Sequence, residues 1–123
     1  MGSKNTNKTK NENETYERAV AGVPYAPDTM QLHNVAMKID ELRSQIVEDS
    51  RRMATEFSRF ASSIARGEFR PSPTGSSAIR DIEVANAKLE ILRGVFDGMI
   101  ASRPDRDAIR AALAAAHFSD DEA

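Results

Sequence analysis

Residues 35–64 read VAMKIDELRSQIVEDSRRMATEFSRFASSI, with apolar side chains at every third or fourth position through most of the stretch. Residues 82–99, IEVANAKLEILRGVFDGM, have the same spacing. This period is that of the α-helix, so we predict two amphipathic helices. When the second apolar stripe is read backwards against the first, one register aligns four consecutive layers, beginning with Ile64 opposite Ala85. The sequence therefore predicts a long antiparallel helical hairpin.

Signals for helix ends bound the first helix and its connection. Asp28, with Gln31 three residues later, has the spacing of a capping box at a helix start. Gly67 suits the residue that follows a helix, because glycine adopts the left-handed conformation readily. The connection at 68–75, EFRPSPTG, contains two prolines and a glycine. The first helix is thus predicted between Asp28 and Gly67.

Two further helices are predicted after this connection. Ser76 or Ser77 serves as the N-cap of the second helix, which is expected to run to about Ser102. A shorter, alanine-rich third helix is expected to begin at Pro104, because proline suits the first helical position. The fold class predicted is therefore all-α, a long antiparallel helical hairpin plus a short third helix.

The two ends of the chain differ in composition from its middle. Residues 1–18 are nearly devoid of apolar side chains, which is typical of disordered segments. Residues 19–27 are apolar but contain one glycine and two prolines, so they are expected to be extended. We accordingly predict a disordered or extended tail over 1–27, a helical body over 28–118 and an acidic tail over 119–123.

Composition narrows the classes of function. The 123 residues carry a net charge of −2 and include no cysteine. Wholesale attraction to nucleic acid is therefore not favoured, and disulfides, thiolate nucleophiles and cysteine zinc sites are excluded. No apolar run approaches the roughly 18 residues that span a bilayer, and the start of the chain has no secretory signal pattern. We expect a cytoplasmic protein without membrane interactions.

The chain has no pattern that indicates a reactive centre. His33 and His117 are far apart, and neither has a second ligand at the helical spacing of a zinc motif. No glycine-rich phosphate loop is present, and no serine lies in the sequence context of an activated nucleophile. We therefore expect no enzyme activity, no catalytic residue, no metal, no cofactor and no small-molecule substrate.

The second predicted helix has a further apolar line beside the hairpin seam, and a helix that is apolar over so much of its circumference is normally buried. This line is covered by the third helix, by a second copy of the chain, or by a partner protein. The leading hypothesis is a protein-interaction module that self-associates or binds a partner through it. The proposed interface consists of Val84, Ala87, Ile91, Gly94, Val95 and Gly98.

An alternative hypothesis rests on a local excess of arginine near the hairpin tip. These residues predict a regulator that binds nucleic acid or another anion, although a solvated face is the usual meaning of such a run. Three of them, Arg52, Arg59 and Arg66, recur every seven residues and form an arginine line. Glu83, Glu90 and Asp97 recur at the same interval, so the two lines are suited to pairing between two chains. The arginines in question are Arg52, Arg59, Arg66, Arg70 and Arg80.

Overall fold

The computed structural model describes residues 15–122, with side chains described as far as residue 116. No strand occurs in this range, and the predicted all-α fold is confirmed. The elements are α1 (Thr15–Val20), α2 (Thr29–Ala65), a short 3-10 helix (Pro73–Gly75), α3 (Ser77–Ile100) and α4 (Arg106–Glu122). The residue ranges of the long helices α2 and α3 are close to the predicted ones.

Both predicted ends of α2 are confirmed. The Asp28 carbonyl accepts the first helical hydrogen bond, from Leu32 N–H at 3.0 Å, which places Asp28 at the N-cap. After the helix, Gly67 has a φ of 77°. Gly67 N–H donates to the Ile64 carbonyl at 3.0 Å and the next N–H, of Glu68, donates to the Ser63 carbonyl at 2.9 Å. These two bonds form a Schellman motif, which needs the left-handed residue that glycine supplies.

Other predicted boundaries need correction. Residues 15–18 were expected to be disordered and residues 19–20 to be extended, but all six belong to α1. The predicted tail over 1–14 lies outside the described residues. The third predicted helix begins at Arg106 rather than Pro104, because the Asp105 carbonyl accepts the first helical bond, from Ile109 N–H at 3.1 Å. Its backbone continues to Glu122, through most of the predicted acidic tail.

The described chain divides into two compact units, and α2 and α3 each contribute to both. The terminal unit combines the described residues up to Glu41 with those from Glu90 onward. The hairpin unit is Leu42–Leu89.

In the terminal unit, α1 packs against α4. The largest side chains of this unit that are almost completely buried come from all four helices, so each helix contributes to the core. They are Val20 of α1, Leu32 and Ile39 of α2, Phe96 and Ile100 of α3, and Ile109 of α4.

Besides its packing against α4, α1 makes polar and aromatic contacts with α2 and α3. The Asp40 carboxylate, 4% exposed, accepts hydrogen bonds from Tyr16 N–H at 3.0 Å and Glu17 N–H at 2.9 Å. These N–H groups belong to the first turn of α1, where an α-helix leaves its donors unpaired. The ring of Tyr16 meets the buried ring of Phe96 edge to face, at 5.1 Å between centroids. A helix of six residues is not stable alone in water, so these contacts explain why α1 forms.

A buried arginine joins the segments that precede α2 and α4. Arg103, whose side chain is only 9% exposed, donates to Asp28 Oδ1 at 2.8 Å and to Asp105 Oδ1 at 3.0 Å. The hydrogen bond to Asp105, followed by the one to Asp28, raises the pKa of Arg103 above its ordinary value. Asp28 and Asp105 are the N-cap residues of α2 and α4, so one guanidinium connects the starts of two helices.

In the hairpin unit, the connection after α2 runs back along that helix. Pro73 borders one cavity together with Phe60 of α2. Further along the chain, Asp81 of α3 accepts a hydrogen bond from Arg52 of α2 at 2.9 Å. As the chain advances from Pro73 to Asp81, its neighbour on α2 moves back from Phe60 to Arg52, so the two segments are antiparallel. Their direction is the predicted one.

The predicted register in this unit is wrong. In that register Asp81 lies level with Glu68, roughly 24 Å along the helix from Arg52 at 1.5 Å per residue. No arginine–aspartate hydrogen bond spans that distance, and yet the two side chains are bonded. Ile64, predicted to face Ala85 in the seam, is 52% exposed. The turn at Gly67 sends the connection back along the end of α2, where the prediction had placed α3.

The Asp40 carboxylate provides a test of how α1 is held. We expect Asp40→Ala to lower the free energy of unfolding by about 2 kcal/mol, because two hydrogen bonds to a charged, buried acceptor are lost. Amide hydrogen exchange at residues 16–20 should accelerate at the same time. Glu41→Ala removes an exposed carboxylate from the next position and should change stability by less than about 0.5 kcal/mol. Equal effects of the two substitutions would contradict this role of Asp40.

Candidate interaction surface and arginine cleft

Helix α3 is apolar on two sides, and only one of them is buried. The buried side contains Ala78, Ala85 and Leu89 in the hairpin unit and Phe96 and Ile100 in the terminal unit. We call the other side the outer face of α3. At ~100° per residue its centre lies roughly 160° around the helix from the buried side. The outer face consists of Val84, Ala87, Ile91, Gly94, Val95 and Gly98.

Each of the six predicted interface residues is exposed. Ile91 is 68% exposed, Val84 48% and Val95 45%, which are high values for large aliphatic side chains. Ile91 and Val95 lie in the same unit as α4, so within the described residues α4 does not cover them. Burial of the line by the third helix is therefore not found there, and the alternatives of a second copy or a partner protein stay predictions.

The two glycines of the outer face have open space around them. A Cβ atom added at Gly94 or at Gly98 meets no atom within 4 Å outside its own helix backbone and chain neighbours. Nothing in the described chain therefore requires glycine at either position. Each glycine in a helix interior costs about 1 kcal/mol relative to alanine. The pair removes side-chain bulk from the middle of an exposed apolar face, so a partner could approach the backbone of α3 closely there.

An acidic edge runs beside the outer face. Its members are Glu83, Glu90 and Asp97, which follow one another at seven-residue intervals. On the helical wheel they lie roughly 80–120° from Ile91, on the side of Gly94. All three are exposed, and none has an ion-pair partner within 4 Å among residues 15–116. The edge is thus a row of carboxylates, none held in such an ion pair, beside apolar surface.

Some arginines of the predicted seven-residue line form ion pairs within the chain. Arg52 pairs with Asp81 and lies 3.9 Å from Asp49, and its hydrogen bond to Asp81 raises the pKa of its guanidinium. Arg66 makes a two-pronged contact with Glu68, at 2.9 and 3.3 Å, which lowers the pKa of that carboxyl group. Two of the three arginines are therefore already paired within the chain. Sequence reasoning missed both pairs, since Asp81 and Glu68 lie outside the seven-residue pattern.

Three of the five predicted anion-binding arginines border one cleft, and we call it the arginine cleft. Arg59 lies in the last two turns of α2, Arg66 directly follows the helix, and Arg70 belongs to the connection after Gly67. Arg52 and Arg80, which were grouped with them, do not line this cleft. The cleft encloses about 340 Å³, and its remaining lining residues are Ser58, Ser62 and Ser63.

A larger cleft of about 540 Å³ lies in the terminal unit around the Arg103 ion pairs. Its charged groups Asp28, Arg103 and Asp105 already bond to one another, and we assign them a structural role. Sequence reasoning missed this cluster, because Asp28 and Arg103 are distant in the chain and share no periodic pattern. No group of three or more His, Asp or Glu side chains suited to a metal ion occurs within the described residues.

Neither helix hydropathy nor comparison with known proteins assigns a function to these surfaces. None of the helices in the described range is long and apolar enough to cross a bilayer. Comparison of the chain with protein-family models, with curated proteins and with solved structures finds no match.

The open space at Gly94 leads to a stability prediction. Gly94→Ala should raise the free energy of unfolding by about 1 kcal/mol, because helix propensity improves and no atom is displaced. Gly67→Ala is the matched control, since Gly67 has a positive φ and alanine there should destabilise by about 1 kcal/mol. Denaturant unfolding measures both. Destabilisation by Gly94→Ala would show that the backbone at this position is closely packed.

Proposed function

We propose that this chain is a non-enzymatic, cytoplasmic interaction module whose outer face of α3 binds an amphipathic helix of a partner protein. The bound helix carries basic residues along one edge, opposite the acidic edge of α3. The observation that supports this most is the exposure of Ile91, Val84 and Val95 in a row on one helix.

The shape of the outer face favours a helical partner. Its large side chains, Val84, Ile91 and Val95, follow the axis of α3, so the apolar surface is long and narrow. A second helix lying along such a stripe buries apolar side chains over its whole length. The glycine positions 94 and 98 allow that helix to come near the α3 backbone. Burial of apolar area then supplies the binding free energy.

Charge favours a basic partner over a second copy of the chain. The acidic edge needs cations at matching positions, and the arginine line of another copy was the candidate for this role. However, Arg52 and Arg66 are paired within their own chain, so that line offers Arg59 alone without breaking existing ion pairs. A separate helix with lysine or arginine along one edge meets no such competition. Complementary charge of this kind contributes mostly to specificity and to the rate of association.

A synthetic helix tests the proposal. The probe is a labelled amphipathic peptide of roughly 20 residues with leucine on one face and lysine along one edge, and a matched peptide has glutamate along that edge. We expect saturable binding of the lysine peptide and about tenfold weaker binding of the glutamate peptide in fluorescence anisotropy. Ile91→Asp should weaken the lysine peptide about tenfold by placing a charge in the apolar contact.

The control variant is Met37→Asp, which adds the same charge at an exposed apolar residue of α2. It should bind the lysine peptide as the unmodified chain does. Since both variants add negative charge, equal binding by the two would mean that the peptide is attracted by charge alone, and the proposal would fail. Sedimentation should show a monomer. A dimer that Ile91→Asp dissociates would replace the basic partner with a second copy of the chain.

A further inference from the structure

The arginine cleft is formed by the reversal of the chain at Gly67. The positive φ of this residue and the Schellman hydrogen bonds direct the chain away from the axis of α2. Arg70, three residues later, thereby borders the same cleft as Arg59 and Arg66. A helix that continued straight would carry residue 70 roughly 16 Å along the axis from residue 59, at 1.5 Å per residue. The turn therefore collects arginines that lie apart in the sequence.

The cleft carries an excess of positive charge. Glu68 pairs with Arg66 through its two-pronged contact, and Arg66 Nη2 also lies 3.5 Å from Ser63 Oγ. Arg59 and Arg70 have no ion-pair partner within 4 Å among residues 15–116. Glu56 borders an adjoining cavity with these two arginines. Even when Glu56 is counted, the net charge of the group remains positive.

From this arrangement we infer that the arginine cleft binds a phosphate monoester group. Arginine presents planar pairs of N–H donors that match the oxygens of phosphate. The hydroxyl groups of Ser58 and Ser62, both on the exposed side of α2, supply further donors to the same space. The site is separate from the outer face of α3, and its existence does not depend on the function proposed for that face.

Convergence of the arginines favours one terminal phosphate over a nucleic-acid backbone. A backbone presents a row of single charges and is bound by basic side chains spread along its path. Here three arginines share one cleft of about 340 Å³, whereas Arg52 and Arg80 do not line it. A phosphate monoester concentrates nearly two negative charges on one group at neutral pH, and the convergent site is matched to that charge.

Titration of the full chain with inorganic phosphate and with O-phosphoserine, at low ionic strength, tests the inference. We expect saturable binding by calorimetry, and about tenfold weaker binding after the double substitution Arg59→Gln with Arg70→Gln. Arg93→Gln with Arg110→Gln removes the same charge from exposed residues of α3 and α4, and should change affinity less than about twofold. Equal loss in the two double variants would overturn the inference, as would the absence of saturable binding.

Glu68→Gln provides a further test, in which phosphate binding should become tighter rather than weaker. It releases Arg66 from its ion pair and adds a positive charge to the cleft, so binding of O-phosphoserine should become several-fold tighter. Weaker binding would contradict the assigned site.

An oligonucleotide comparison distinguishes the source of the phosphate. A single-stranded oligonucleotide with a 5′-phosphate should bind more tightly than the same strand without it. Equal binding of the two strands would show that the cleft recognises the backbone of nucleic acid. That result would overturn the inference that it binds a phosphate monoester.

Discussion

A helix in a small protein can bury only the side that faces its neighbours, and α3 is apolar on two nearly opposite sides. Its buried side includes Phe96 and Ile100, which are completely shielded from water. Because the helix backbone fixes the angle between side chains, burying these residues leaves Ile91 on the outside. Exposure of large aliphatic residues in a continuous row is unusual for a surface without partners. The proposed interaction function follows from this constraint.

The same constraint explains how α1 contributes. The terminal unit closes its core with α1, a helix of six residues that depends on Asp40 and Phe96 for its stability. In that unit α1 packs on α4, and Ile91 and Val95 of α3 stay exposed. The chain thus uses its short helices to complete the buried side, while the apolar surface around Ile91 and Val95 stays available.

Local signals predicted the parts of the fold that local chemistry determines. The N-cap at Asp28, the left-handed Gly67 and the positions of α2 and α3 follow from residue type and from a helical period. The register of the hairpin unit does not, because two periodic stripes match equally well at several offsets. The path of the connection selects one offset, and that path depends on how residues 68–76 pack against the end of α2. The contact of Asp40 with α1 was equally invisible, since it joins residues distant in the sequence.

The two candidate sites also differ in how much of each could be predicted from the sequence. The six residues of the outer face were grouped by spacing alone and all six are exposed, whereas their role as an interface stays a prediction. Of the five arginines, three converge on a cleft, and it was the turn at Gly67 that decided which. Arg52 bonds to Asp81 as a consequence of the register, which spacing could not reveal.

Thiol accessibility tests the central claim about α3 most directly, because the chain has no cysteine of its own. Ile91→Cys and Ala85→Cys place single thiols on the outer and buried sides of one helix. In dilute, folded protein we expect the thiol at position 91 to react with a maleimide about as fast as in the unfolded chain, and the one at position 85 to react at least about tenfold more slowly. Equal protection of both thiols in the monomer would show that the outer face is covered by the chain itself.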